Sequence, residues 1–153
     1  AEDGIRDFCL SRGLGDVYKR QFLMDSILVD TNIVLDLLSK REEFYKEAQE
    51  LFTLADHKKV KLFISSLTIA NTHYLLARSH KLDEARKILI KFKVLVEVLP
   101  MDDKILELAL VSDFKDFEDA IQYYTALENE LDLILTRNKK DFKKMFQHQP
   151  TKC

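Results

Sequence analysis

The side chains best suited to chemistry are carboxylates and amides placed just beyond short apolar runs. Asp30 closes the run Ser26-Ile27-Leu28-Val29, and Asp119 stands early in the helical stretch Phe117-Glu118-Asp119-Ala120-Ile121-Gln122-Tyr123-Tyr124. Asp116 lies about one turn before Asp119, and Asn138 and Asp141 follow the last apolar run, Leu133–Thr136. Each has an ordinary reading. Asp30 suits a helix N-cap, Asp119 favours the positive end of a helix dipole, and Asn138 and Asp141 suit a polar loop. Brought together, however, the carboxylates repel one another unless a cation sits among them, and such hard oxygen donors suit Mg²⁺ or Mn²⁺.

For these groups to meet, the chain must bring several strand ends to one edge. Apolar, β-branched runs predict strands over 26–30, 61–65, 94–99 and 133–136. Pro100 stops the third. Three-and-four spacing of apolar residues predicts helices over 31–39, 43–57, 66 to about 78, 83–93, 102–111 and 116–129, with Ser66 as the cap of the third. Strands alternating with helices indicate an α/β fold with a parallel sheet, whose ligands gather at the carboxyl ends of the strands.

Composition narrows the function. The 153 residues suffice for one domain with a real core. At 46% hydrophobic and 33% charged with net charge −2, the chain reads as globular rather than disordered or polyanion-coating. Its three glycines, Gly4, Gly13 and Gly15, all fall in the first fifteen residues. The rest must therefore turn on Asn, Asp, Ser and Lys, and it has no glycine-rich loop to cradle a nucleotide phosphate. Cys9 and Cys153 lie one in each tail, which offers no disulfide framework and suits a reducing cytoplasm. The apolar runs are too broken by charge for a membrane span or signal peptide. The four histidines form no metal-ligand spacing. Residues 1–23 resemble a translated adaptor read-through, a non-native leader that makes Met24 the expected start, and residues 145–153 form an atypical, truncated-looking tail.

In order along the chain, Ile27-Leu28-Val29-Asp30-Thr31-Asn32, Phe63-Ile64-Ser65-Ser66-Leu67-Thr68, Asp119-Ala120-Ile121-Gln122-Tyr123-Tyr124-Thr125-Ala126 and Leu133-Ile134-Leu135-Thr136-Arg137-Asn138 with Asp141-Phe142 resemble the conserved blocks of the PIN-domain family of metal-dependent ribonucleases, in particular the toxins of bacterial toxin–antitoxin pairs. The resemblance spans residues 24–144 and implies a three-layer α/β/α domain around a central parallel sheet of about four strands. It implies catalysis by Asp30, Asp119, Asp141 and Asn138, with Mg²⁺ or Mn²⁺ held by Asp30, Asp119, Asp141 and Asp116. Thr31, Asn32 and Thr136 would orient ligands or water. The ion would activate water for attack on an RNA phosphodiester, leaving a 5′-phosphate and a 3′-hydroxyl. The implied partners are an RNA substrate, a cognate antitoxin protein and a second copy of the chain in a homodimer, with no membrane.

One position departs from the family. Where its members usually carry a glutamate after the second strand, this chain has Asn71, an amide that coordinates without charge, with Asp116 available to compensate. That substitution leaves open a second reading, a weakened domain that binds RNA or a partner without cutting. A third reading, a phosphatase-type hydrolase with Asp30 as nucleophile, lacks the second aspartate two residues on, because that residue is Asn32. Charge is also divided: residues 101–136 hold ten acids and two bases, whereas 137–153 hold six bases and one acid. A solvated surface explains such a split. So does an acidic pocket beside a basic rim of Arg137, Lys139, Lys140 and Lys143 that tracks RNA phosphates.

Overall fold

The computed structural model describes residues 24–137. Four strands, β1 (Ser26–Val29), β2 (Lys61–Ser65), β3 (Glu97–Leu99) and β4 (Leu133–Leu135), form one parallel sheet in the order β3-β2-β1-β4. Six helices connect them: α1 (Thr31–Leu38), α2 (Tyr45–Asp56), α3 (Ser66–Ser79), α4 (Leu82–Phe92), α5 (Asp103–Leu110) and α6 (Phe117–Glu128). The central strand β1 aligns Leu28 with Phe63 of β2 on one side and with Ile134 of β4 on the other.

Alternation along the strands builds a core on each face of the sheet. Ile27 and Val29 join Leu62, Ile64, Leu133 and Leu135 beneath α1–α4, where Ile33, Phe52, Leu76 and Leu89 complete the larger core. Leu28, Phe63, Leu99 and Ile134 point the other way, against Tyr123 and Ala126 of α6, and α5 packs on α6 through Ile105, Ala109, Ala120 and Ile121. The result is the expected three-layer α/β/α arrangement. Because β1 has neighbours reached by opposite excursions of the chain, the order reverses between β1 and β4. A crevice opens at that switch point, at the strands' carboxyl ends.

Element boundaries differ from the sequence reading in two instructive places. The third strand is confined to Glu97–Leu99 because Val94 and Leu95 donate to the carbonyls of Lys91 and Phe92, closing a turn, and Val94 is exposed. The cap of α3 is Ser65 rather than Ser66: Ser65 Oγ accepts from Thr68 N–H (3.2 Å), while Ser66 Oγ accepts from Met101 N–H (3.1 Å). Three helix ends show how a domain without glycine turns. After α1, α2 and α6 the left-handed position falls to Lys40 (φ 47°), Lys58 (φ 56°) and Glu130 (φ 53°). In each case the next amide reaches back to close the helix end: Arg41 to the carbonyl of Asp36, Lys59 to Leu54 and Leu131 to Ala126. The lysines match the expectation; the glutamate does not.

Candidate metal and active site

Asp30 stands at the switch point, immediately beyond β1. It caps α1, with Oδ1 accepting from Thr31 N–H at 2.7 Å, and Oδ2 accepts from the Thr136 hydroxyl at 3.2 Å, which ties it to the end of β4. The capping reading of Asp30 is thus correct, but it does not exhaust the residue. Its side chain is 5% exposed, and burial, followed by the nearby Glu118 carboxylate, pushes its pKa from 3.8 up to about 6 despite the opposing hydrogen bonds and the weak pull of Arg137. A cap that served only α1 would not need a second carboxylate beside it.

A pocket of about 310 Å³ opens at this point, lined by Asp30, Thr31, Asn32, Leu35, Asn71, Tyr74, Leu75, Asp116, Glu118 and Asp119. It gathers Asp30 and Asp119, as expected, together with Asp116, Asn71, Thr31 and Asn32. Asp119 is buried at the start of α6. Asp116 is exposed and caps that helix, its Oδ1 accepting from Asp119 N–H at 3.0 Å. Thr136 touches Asp30 from the β4 side. Asn138, Lys139, Lys140, Asp141 and Lys143 lie outside the described residues.

Two parts of the neighbourhood escaped the sequence reading. The first is Glu118, whose Oε1 accepts from the Thr31 hydroxyl at 2.6 Å. Behind it runs a buried chain of hydroxyls and amide: Thr31 Oγ1 and Thr68 Oγ1 are 3.0 Å apart, Gln122 Nε2 donates to Thr68 at 2.9 Å, and Ser65 Oγ lies 3.2 Å from Thr68 Oγ1. The period of α6 was readable, but the bond between Glu118 and Thr31, 87 positions earlier in the chain, was not. The second is Asp36, a carboxylate only 1% exposed on α1. Arg137 Nη2 lies 3.2 Å from its Oδ1 and Arg41 Nη1 3.5 Å from the same oxygen. Burial raises the Asp36 pKa, and the two arginines oppose that rise. The Arg137 guanidinium also covers the Phe44 ring at 4.2 Å. Arg137, expected on an RNA-facing rim, is therefore engaged in pinning the end of β4 to α1 and the segment that follows it.

The donor set fits a small divalent cation. Four carboxylates and two amides line the pocket, no Lys, Arg or His does so among the described residues, and burial together with the Glu118 carboxylate raises the pKa of Asp30. Among the described residues no group of three or more His, Cys, Asp or Glu side chains is placed to hold a metal ion. Mg²⁺ does not require one, since it commonly keeps several waters and takes one or two protein carboxylates.

Comparison with known proteins agrees with this architecture. Ribonuclease VapC1 of Aquifex aeolicus (strain VF5) is 28% identical over 123 residues, covering 75% of this chain and 83% of the relative. A toxin–antitoxin complex from Klebsiella pneumoniae is 29% identical, with a TM-score of 0.57 over 76% of this chain and 89% of the other. The Mycobacterium tuberculosis toxin VapC20, which cleaves the sarcin–ricin loop, shares the fold at a TM-score of 0.61 and 19% identity, over 77% of this chain and 94% of its own. The PIN-domain family profile matches residues 26–140, three quarters of the sequence and the whole of the sheet, its helices and the pocket, and the chain therefore belongs to the PIN-domain family.

Proposed function

We propose that this protein is an endoribonuclease that uses Mg²⁺ or Mn²⁺ to hydrolyse RNA phosphodiesters, and that it acts as a toxin held in check by a cognate antitoxin. The observation that carries the reading is the buried, charge-strained Asp30 at the β1–β4 switch point, facing Asp119 and Glu118 across one pocket. The ribonuclease relative and the toxin–antitoxin complex at 28–29% identity support the substrate class and the partner.

In this reading Asp30 and Asp119 hold the ion, joined by Asp141 from beyond the described residues, with Asp116 at the pocket's outer edge. A divalent ion at this place supplies two things: it acidifies an attacking water and offsets charge on the phosphodiester oxygens. The chain's own contribution is orientation. Thr31 N–H and the Thr136 hydroxyl fix both oxygens of Asp30, so the carboxylate cannot rotate away from the crevice. Asn32 and Asn71 present amides that can direct water or a phosphate oxygen without adding charge. Asn138 is assigned the same task, and Lys139, Lys140 and Lys143 the basic rim. In this reading the protein works in the cytoplasm as a homodimer, as the toxin assignment implies.

The test is incubation of the purified chain with RNA and Mn²⁺. Cleavage by the parent and its loss in both Asp30→Ala and Asp119→Ala are expected, and retained cleavage in either would remove the site assignment. A second reading, a domain that binds RNA without cutting, is favoured by Asn71, whose amide sits in the pocket wall. It predicts cleavage only after Asn71→Glu, and metal-dependent cleavage by the parent eliminates it.

A further inference from the structure

The four carboxylates of the pocket are not equivalent, and Thr31 distinguishes them. Its backbone N–H donates to Asp30 Oδ1 (2.7 Å) and its hydroxyl donates to Glu118 Oε1 (2.6 Å). Both donors belong to one residue, so the two carboxylates stand on either side of a single threonine.

The direction of the hydrogen bonds behind Thr31 follows from what each group can donate. An ionised carboxylate only accepts, so the Thr31 proton is committed to Glu118 and the Thr31 oxygen must accept from Thr68. Thr68, its own proton spent on Thr31, accepts from Gln122 Nε2 and from the Ser65 hydroxyl. Each hydrogen in this buried chain thus points toward Glu118, and serial polarisation of this kind strengthens the final bond. Helix capping does not call for the arrangement, because Asp116 already caps α6. Nor does apolar packing, since Glu118 is half-buried beside the pocket. Asp116 differs: it is exposed, and the hydrogen bond it accepts from Asp119 N–H is the cap of α6. From α3, Asn71 brings an amide and no charge to the same pocket.

We propose that Glu118 joins Asp30 and Asp119 in holding the divalent cation, supplying the charge that Asn71 lacks, and that Thr31 is the positioning residue that keeps Glu118 beside Asp30. Glu118 Oε1 stays on Thr31, which leaves Oε2 for the ion. The sequence pattern points to Asp116 for this compensation; the hydrogen-bond geometry points two residues further on, to Glu118. The inference rests on the cation reading of the site.

The experiment is calorimetric titration of Mn²⁺ into the full metal-free chain and into Glu118→Gln, Thr31→Val, Asp116→Asn and Asp30→Asn. Glutamine keeps an oxygen that can accept from Thr31, so a purely structural Glu118 tolerates the change and Mn²⁺ affinity stays as in the parent. A cation-holding Glu118 does not, and the expected loss in affinity is about 10–100-fold, against about tenfold for Thr31→Val and less than about twofold for Asp116→Asn. Glu118→Asp, which restores the charge on a shorter stem, should recover part of the loss. Parent-like Mn²⁺ binding in Glu118→Gln, with binding abolished in Asp30→Asn, would overturn the role of Glu118 and leave the cation site standing. Parent-like binding in Asp30→Asn as well would overturn the cation site itself. Thermal unfolding of each metal-free variant accompanies the titration, and if Glu118→Gln does not fold, Glu118→Asp against Asp116→Asn makes the same comparison.

Discussion

Replacing Asp30 with asparagine should stabilise the metal-free protein, and the gain should grow with pH. Burial and Glu118 raise the Asp30 pKa from 3.8 to about 6. The folded state therefore holds this proton more tightly than the unfolded chain does. Between the two pKa values the folded state binds more protons, so stability falls as pH rises through that window, and the full penalty persists above it. At about 1.4 kcal/mol per unit, a shift of roughly two units costs about 3 kcal/mol once Asp30 is ionised. About 2 kcal/mol of that develops between pH 4.5 and pH 7.5. Asparagine has the shape and one acceptor for Thr31 N–H but does not ionise, so it escapes the penalty. Urea unfolding of both proteins in EDTA at pH 4.5 and 7.5 measures the difference directly. The advantage of Asp30→Asn should be small at pH 4.5 and about 2 kcal/mol larger at pH 7.5. Mg²⁺ should then reverse the order, because an ion that binds only the folded parent at a thousand times its Kd adds about 4.1 kcal/mol. A pH-independent difference between the two proteins would refute the claim that Asp30 is held as a strained, under-compensated charge.

The helix ends offer a test away from the site. Lys40→Gly, Lys58→Gly and Glu130→Gly each remove a left-handed non-glycine residue and should raise stability by about 0.5–1 kcal/mol apiece, read as a shift in urea midpoint. The Asp36 clamp predicts the opposite sign: Arg137→Ala leaves a buried carboxylate with Arg41 alone at 3.5 Å and should cost about 1–3 kcal/mol, checked by the same unfolding assay.

The layers of the fold were readable because burial leaves a periodic trace. Ile27-Leu28-Val29 and Leu62-Phe63-Ile64 are buried on both faces and read as continuous apolar runs, so β2 stood out with its correct limits and β1 to within one residue. The third strand was overextended because Val94, Leu95 and Val96 have strand-like side chains, and only the pairing of β3 with Phe63–Ser65 decides where the ladder begins. Asp30 and Asp119 were legible as strand-end and helix-start acids. Glu118 was not, since its role depends on a hydroxyl contributed by α1, and Asp36 was hidden for a related reason. A carboxylate on a short helix ordinarily faces water, and its burial is intelligible only with Arg137, which arrives 101 residues later. Tertiary partners distant in the sequence are what periodicity cannot express.

The central claim is that this pocket cuts RNA by means of a divalent ion held at Asp30. The most direct measurement is cleavage of a labelled RNA by metal-stripped protein before and after Mn²⁺ is restored. Cleavage that is absent in EDTA, returns with Mn²⁺ and never appears in Asp30→Ala is the predicted result. Equal cleavage in EDTA and in Mn²⁺, or restored cleavage in Asp30→Ala, would contradict it.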